Sequence, residues 1–158
     1  MHPTLPDVPQ EFMGEPEQLG QFNQFDLYPM PSYIQLATPN PEQLANWFVK
    51  TLGFGIMFAN QPDPKAPPML VHLRRRKYQD ILLVPGEPHP TTIIYDASGE
   101  LNALAQRIEK HWQHSGITTE GMAPPMLEVI DPDGNRFTFF DKPSEEAQQR
   151  FQNLFDQP

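Results

Sequence analysis

The sequence predicts an α+β domain made of two successive modules, each with the order strand, helix, strand, strand, strand. An amphipathic helix flanked by strand-like stretches occurs twice, and a glycine suited to end a helix, Gly53 or Gly116, follows each one. The length of 158 residues fits one ordinary domain. The 20 prolines are far above the usual share and argue against a helical bundle.

The first module begins with a strand and the best-defined helix of the chain. Residues 33–37 alternate in polarity and predict a half-buried strand. Asn40 can cap a helix, and Pro41 suits its first position. Large side chains then recur with a helical period, which predicts a helix over 41–52 that Gly53 closes. The positions of this stripe are Leu44, Trp47, Phe48, Thr51 and Leu52.

Short apolar segments separated by turns complete the two modules. Four prolines predict a loop over residues 60–68, and Asp131-Pro132-Asp133-Gly134 predicts a tight turn. The helix of the second module opens at Ser98 or Gly99 and carries an apolar stripe as far as Trp112. The remaining predicted strands cover residues 54–59, 69–75, 78–84, 91–95, 126–130 and 135–140.

The two ends of the chain differ from the domain between them. Residues 1–31 hold six prolines and five acidic residues with no Lys or Arg, and they predict a Pro-rich acidic arm. This arm is either a partly disordered leader or a segment laid over the domain or a neighbouring subunit, anchored by aromatic residues. Residues 143–158 predict a C-terminal amphipathic helix that begins at Ser144. The domain then covers residues 32–142, with modules at about 32–86 and 90–142.

Composition excludes several classes of protein. The chain has no cysteine, so disulfides and thiol nucleophiles are absent. The net charge of −9 offers no broad basic surface, and we therefore expect no nucleic-acid partner. No apolar run approaches the ~18 residues that a membrane-spanning helix needs. The first residues also lack the basic region of a signal peptide, so a cytoplasmic location is expected.

Two segments resemble the vicinal oxygen chelate superfamily, which includes glyoxalase I, bleomycin-resistance proteins and extradiol dioxygenases. Residues 40–54 look like its first helix, with an aromatic pair and a Leu-Gly-Phe ending. Residues 128–140 look like its Asp-Pro-Asp-Gly-Asn hairpin. The likeness covers about residues 32–142. It implies paired βαβββ modules whose mixed sheet curls around a cleft, and a homodimer.

The resemblance also indicates where a metal would be bound. Metal-using members hold a divalent ion with His, Gln or Glu at four fixed strand positions. In this sequence the resemblance places these positions at Tyr33, at Thr91 or Thr92, at Thr138, and somewhere around Asp80. Neutral hydroxyl groups are poor ligands for hard divalent ions. We therefore expect neither a metal site of the family type nor another cofactor.

Side-chain alternation predicts which residues line the cleft. If Tyr33 faces inward, Gln35 does too. If Thr138 faces inward, Arg136 and Phe140 do as well. Phe137 and Phe139 would then pack under the helices. Such a wall suits a flat or amphipathic organic molecule. The other interpretation is that these residues fill a closed core.

His72 and Arg74 complete the candidate ligand-binding set. His72 alternates with apolar neighbours on a predicted strand, so it faces either the cleft or a core or surface position. Residues 74–77 most simply form a solvated hairpin tip, and the alternative is that Arg74 or Arg76 holds an anionic group of the ligand. No catalytic triad or phosphate-binding loop is recognisable, so catalytic residues are not assigned.

The sequence therefore predicts a metal-independent small-molecule binding protein of the glyoxalase and bleomycin-resistance type. Its most concrete form is sequestration of a toxic or antibiotic aromatic compound. The alternative is a metal-dependent lyase, isomerase or dioxygenase with a displaced ligand set drawn from His72, Asp80 and Glu128. A third interpretation is a regulatory module whose arm and C-terminal helix contact another protein.

Overall fold

The computed structural model describes residues 30–119 and 123–156. The predicted aromatic anchors of the arm, from Phe12 to Tyr28, lie outside these ranges. The strands are β1 (Ile34–Thr38), β2 (Gly55–Asn60), β3 (Leu70–Arg74), β4 (Asp80–Pro85), β5 (Thr92–Asp96), β6 (Met126–Ile130) and β7 (Arg136–Phe140). The helices are α1 (Pro41–Trp47), which a π-helical segment (Phe48–Leu52) continues, α2 (Leu101–Glu109) and α3 (Glu145–Phe155).

Each module folds into a mixed sheet whose first and last strands pair in parallel. The first sheet has the order β1-β4-β3-β2, and the second has the order β5-β7-β6. The pairs β1–β4 and β5–β7 are parallel, whereas the other neighbouring strands are antiparallel. The same strand pairing therefore occurs twice along the chain, and the predicted α+β fold of paired modules is confirmed.

The second module differs from the expected pattern at one edge. The sequence predicts three strands after its helix, but the described residues between α2 and β6 form only an isolated bridge, Thr118 with Met126. Pro124 and Pro125 lie just before β6. Because proline has no amide hydrogen, neither residue can donate a ladder hydrogen bond, and β6 begins directly after them.

Local signals determine both ends of the first helix, as predicted. The Asn40 side chain accepts a hydrogen bond from the Gln43 amide at 3.1 Å, which satisfies one of the open amides of the first turn. Gly53 ends the π-helical segment with φ 74°, a conformation that costs glycine little. The predicted stripe of this helix is buried throughout.

The core of the first module lies between this helix and one face of its sheet. Helix α1 packs on β1, β3 and β4. The rings of Phe48 and Phe54 are fully buried and meet edge to face, with centroids 5.0 Å apart. Full burial of such side chains stabilises the fold by about 1.5–3 kcal/mol each. The sheet contributes Leu36, Val71, Leu73, Ile81 and Leu83 to this core.

A residue distant in sequence caps the second helix. The Asp141 carboxylate accepts hydrogen bonds from the amides of Gly99 at 2.8 Å and Leu101 at 3.2 Å. A carboxylate at this end also interacts favourably with the helix dipole. The helix ends at Glu109, so Trp112 lies beyond it and donates from Nε1 to the Ile130 carbonyl at 2.7 Å. The prediction that the helix reaches Trp112 was therefore wrong.

The predicted C-terminal helix is present, but it buries no residue. The Ser144 hydroxyl accepts from the Ala147 amide at 3.1 Å and caps α3 as expected. Phe151, Leu154 and Phe155 are all exposed. We expected this face to pack on the domain or on a partner, and the described residues provide no cover for it.

The chain divides into two compact units. Of the described residues, one unit contains residues 30–91 together with Asp131–Asn135, and the other contains residues 92–119, 123–130 and 136–156. Asn135 links the 131–135 turn to the rest of the first unit, because its side-chain oxygen accepts a hydrogen bond from the Thr91 amide at 3.2 Å. In the part of the chain that the structure describes, no helix has the length and apolar character needed to cross a membrane.

The stripe of the first helix can be tested at Trp47. Its ring is 9% exposed and meets Phe48 edge to face. We expect Trp47→Ala to lower the free energy of unfolding by roughly 3–5 kcal/mol, because it removes a large core side chain. Urea unfolding measures the change. Glu42→Ala, an exposed position of the same helix, is the control and should cost less than about 1 kcal/mol. Equal effects at the two positions would contradict the assigned helix face.

Candidate functional site

The face of the first sheet opposite the helix carries a continuous row of side chains, one from each strand. Gln35 pairs with Leu82, Leu82 with His72, and His72 with Phe58. Each of the four residues has at least one strand neighbour that is a buried core residue, so alternation places these four on the opposite face. Gln35 and Phe58 are exposed, while Leu82 and His72 are half-buried. We call these four residues the open row.

One end of the open row is fixed by a buried ion pair. Arg74 binds the Asp80 carboxylate with two hydrogen bonds of 2.7 Å, from Nε to Oδ1 and from Nη2 to Oδ2. The His72 Nε2 atom contacts Oδ2 of the same carboxylate at 2.5 Å. The Asp80 side chain is 0% exposed and that of His72 is 17% exposed. Strand register explains the meeting, because Arg74 pairs directly with Asp80 and His72 precedes Arg74 by two residues on the same strand face.

The net effect of this environment keeps Asp80 ionised. Burial by itself favours the protonated form, but the hydrogen bonds from His72 and Arg74 and the positive charge of Arg74 act in the opposite direction and outweigh it. The pKa of Asp80 is therefore lowered. A charge this deeply buried is tolerated only because it is paired and hydrogen-bonded.

Tyr33 joins the open row through its ring. It lies directly before β1, is 51% exposed, and meets the His72 ring edge to face with centroids 5.5 Å apart. Three of the predicted ligand-binding residues, Tyr33, Gln35 and His72, therefore lie near one another on the first module. Arg74, the fourth predicted residue of this module, is buried with its guanidinium group on Asp80.

The arginines of the β3–β4 hairpin correct a prediction. Residues 74–77 were expected to form a solvated tip, but Arg74, Arg75 and Arg76 are all buried. Arg76 donates to the Arg75 carbonyl at 2.9 Å. The exposed part of the hairpin is Lys77 and Tyr78. The prediction failed because a run of basic residues contains no signal for the buried carboxylate that pairs with Arg74.

The second module presents the other three predicted residues on one strand. Arg136, Thr138 and Phe140 alternate on β7 with Phe137 and Phe139, which are completely buried as expected. Arg136 is exposed and lies 3.9 Å from the Glu128 carboxylate on β6. Such half-exposed ion pairs contribute little to stability. The positive charge of Arg136 is therefore only weakly engaged by this partner.

The predicted site residues therefore lie in two groups, one on each module. That all of them line one cavity stays a prediction. Sequence reasoning missed the shared contact of His72 and Arg74 with Asp80, although a His-x-Arg pattern on one strand beside an Asp on the next is a usable signal. It also missed Leu82 and Phe58, which complete the open row.

The described ranges contain no group of three or more His, Asp or Glu side chains that could hold a metal ion. The Asp80 oxygens are already engaged by Arg74 and His72. Thr92 is exposed and Thr138 is buried, and neither offers a carboxylate or an imidazole. The donor set present in these ranges therefore does not fit a divalent ion of the family type.

Similarity to solved structures defines the class of fold. A glyoxalase-related enzyme from Clostridium phytofermentans matches with a TM-score of 0.62 and 15% identity, over 76% of this chain and 99% of that one. TioX from Micromonospora sp. ML1 matches with a TM-score of 0.62 and 12% identity, over 73% and 98% of the two chains. TnmS3, an antibiotic-binding protein from Streptomyces sp. CB03234, matches with a TM-score of 0.50 and 17% identity, over 75% and 98%.

No protein-family model and no curated protein matches the chain. At these identities the structural similarity establishes the fold. The chain has the fold of the glyoxalase, bleomycin-resistance and dioxygenase superfamily, and the vicinal oxygen chelate fold predicted from its helix and hairpin motifs is confirmed.

The buried ion pair makes a prediction about stability and pH. Asp80→Asn leaves the Arg74 charge buried without its partner, so we expect a loss of about 3–5 kcal/mol at neutral pH. Because the folded-state pKa of Asp80 is lowered, its ionisation stabilises the protein above about pH 4, and this contribution disappears as pH falls through the folded-state value. The gap in unfolding free energy between wild type and variant should therefore narrow below about pH 4.

Urea unfolding at neutral pH and at about pH 3 tests this expectation. Glu87→Gln removes one exposed carboxylate of the same module and serves as the control, with little effect at either pH. A gap between wild type and Asp80→Asn that stays constant with pH would show that Asp80 ionisation does not stabilise the fold.

Proposed function

We propose that this protein binds a small aromatic molecule without using a metal, and that it sequesters a toxic or antibiotic compound. The observation that carries the proposal is the open row together with the Tyr33 ring. Gln35, Leu82, His72 and Phe58 form a surface of rings, an aliphatic side chain and one amide, with a histidine held in place by Asp80.

The chemistry of this surface favours stacking over charge recognition. The nearest ionised carboxylate, Asp80, is buried and shared by two partners, so it presents no free charge to a ligand. Aromatic side chains contribute both apolar area and a preferred ring geometry to a flat ligand. Gln35 offers a donor and an acceptor that can fix its orientation. Arg136, Thr138 and Phe140 complete the proposed ligand-binding set with a cation, a hydroxyl and a further ring.

The fold supports the proposal without deciding it. TnmS3, which has a similar fold, is described as an antibiotic-binding protein, and the similar protein from Clostridium phytofermentans is described as a glyoxalase-related enzyme. One fold therefore hosts binding proteins and enzymes, and the side chains of the site must decide between them. The open row offers an apolar surface and no described cluster of metal ligands, which favours binding.

Stacking on Tyr33 gives the first test. A thermal-shift screen of aromatic compounds should identify ligands, with 2-naphthol as a simple starting probe. Tyr33→Ala should raise the dissociation constant of a bound aromatic compound by about fivefold or more, equivalent to ~1 kcal/mol. Tyr33→Phe keeps the ring and should bind as wild type does. Equal affinities for wild type and Tyr33→Ala would remove Tyr33 from the site.

Metal independence gives a separate test. We expect treatment with a chelator to leave the affinity for the same aromatic ligand unchanged, because no ion bridges protein and ligand. Metal analysis of protein purified without chelator is the companion measurement. Stoichiometric Mn, Fe, Ni or Zn, or loss of binding after chelation, would contradict the proposal and favour the metal-dependent alternative.

We also infer that the protein works as a cytoplasmic homodimer, in which a second copy covers the exposed face of α3. Phe151, Leu154 and Phe155 give this face a contiguous apolar surface, and the rings of Phe151 and Phe155 lie 4.9 Å apart. Exposed apolar patches of this kind are typical of association sites. The acidic arm is a second candidate contributor to the interface.

Light scattering tests the dimer. Wild type should have twice the mass of the 18.1 kDa chain, and Leu154→Glu should shift the equilibrium towards the monomer by placing a charge in the interface. Gln149→Glu adds the same charge elsewhere on α3 and should leave the dimer intact. A wild-type species of monomeric mass at high micromolar concentration would rule out the dimer.

A further inference from the structure

The buried ion pair fixes which nitrogen of the open-row histidine faces Asp80. Asp80 is bound by Arg74 through both oxygens and is kept ionised, so its carboxylate accepts hydrogen bonds and cannot donate them. The His72 nitrogen that faces it, Nε2, must therefore carry a hydrogen. In a neutral imidazole the other nitrogen, Nδ1, is then an acceptor.

This acceptor is available on the ligand side of the sheet. Within the described residues His72 makes one hydrogen bond, through Nε2, and Nδ1 makes none. The His72 side chain is 17% exposed, and Nδ1 is not among the buried polar atoms that lack a partner. The strand neighbours of His72 on this face are Leu82 and Phe58, which provide apolar surface on either side of the ring.

Arg74 has a second effect on this arrangement. It binds Asp80 with a fixed, two-pronged geometry, so the carboxylate cannot rotate away from His72 without breaking two short hydrogen bonds. The rings of Tyr33 and His72 meet edge to face, with centroids 5.5 Å apart. The His72 ring is therefore held by a carboxylate on the neighbouring strand and by an aromatic ring, as supporting contacts orient a binding group.

We infer that His72 Nδ1 is a specificity-determining acceptor that selects aromatic ligands carrying a hydroxyl hydrogen-bond donor, such as a phenol. This inference rests on the proposed function and names the ligand class for the same surface. A ligand ring lies against Leu82 and Phe58 and its hydroxyl donates to Nδ1. An ether or another group with acceptors only leaves Nδ1 unpaired and desolvated on binding, which is unfavourable.

A matched pair of probes tests the inference. 2-Naphthol and 2-methoxynaphthalene share the same ring system, but only the naphthol donates a hydrogen bond. Apolar burial alone favours the ether, because it has one more carbon atom. We expect wild type at about pH 8, where a phenolic hydroxyl keeps its proton, to bind the naphthol roughly fivefold to tenfold more tightly. Naphthalene fluorescence or calorimetry measures both dissociation constants.

Two substitutions of His72 separate the acceptor from the structural role of the ring. His72→Gln can still donate to Asp80 from its amide nitrogen but lacks the acceptor at the Nδ1 position, so the naphthol preference should disappear. His72→Asn places an amide oxygen near the Nδ1 position and loses the contact with Asp80. It should keep part of the preference while its stability falls.

A measurement on the unmodified protein covers the case in which a variant does not fold. Titration with 2-naphthol should shift the nitrogen NMR resonance of His72 Nδ1, and the ether should leave it nearly unchanged. Equal binding of the two probes by wild type, or a preference that persists in His72→Gln, would overturn the inference while the proposed function stands. Failure of both probes to bind would contradict the proposed function and the inference together.

Discussion

The buried pair of Arg74 and Asp80 is the interaction on which the candidate site depends. It joins two adjacent strands of the first sheet at a point where neither charge reaches solvent. Breaking such a pair is costly because it leaves one charge buried without a partner. The same carboxylate also holds His72, so one interaction both stabilises the sheet and orients a polar group on its open face. The stability of the sheet and the orientation of His72 are therefore coupled at this position.

The two modules have the same packing arrangement, but the described sheet of the second has one strand fewer. In both, a helix covers one face of a mixed sheet and the first and last strands pair in parallel. The first module adds β2 at the edge, and this strand brings Phe58 next to His72. The second module has only the Thr118 bridge in the corresponding part of its described chain. The described sheet of the first module is consequently one strand wider than that of the second.

The exposed side chains of the two modules differ in their chemistry. On the first module Arg74 and Asp80 neutralise each other beside His72, and the rings of Tyr33 and Phe58 and the amide of Gln35 are exposed. On β7 of the second module, Arg136 presents a cation that Glu128 engages only at 3.9 Å. The first surface therefore exposes aromatic rings and an amide, while the second exposes a guanidinium group.

The sequence by itself determined the features that depend on neighbours along the chain. The Asn40 cap, the stripe through Trp47 and the alternation of Phe137 and Phe139 follow from helical and strand periods, and the repeated order of elements predicted the two modules. Tertiary structure decided the features that depend on partners distant in sequence. Asp141 caps a helix that begins 40 residues earlier, and Asp80 turns an apparently solvated Arg74 into a buried one. A linear pattern records the type and spacing of side chains, but the energy of a buried charge is set by which opposite charge the fold brings to it.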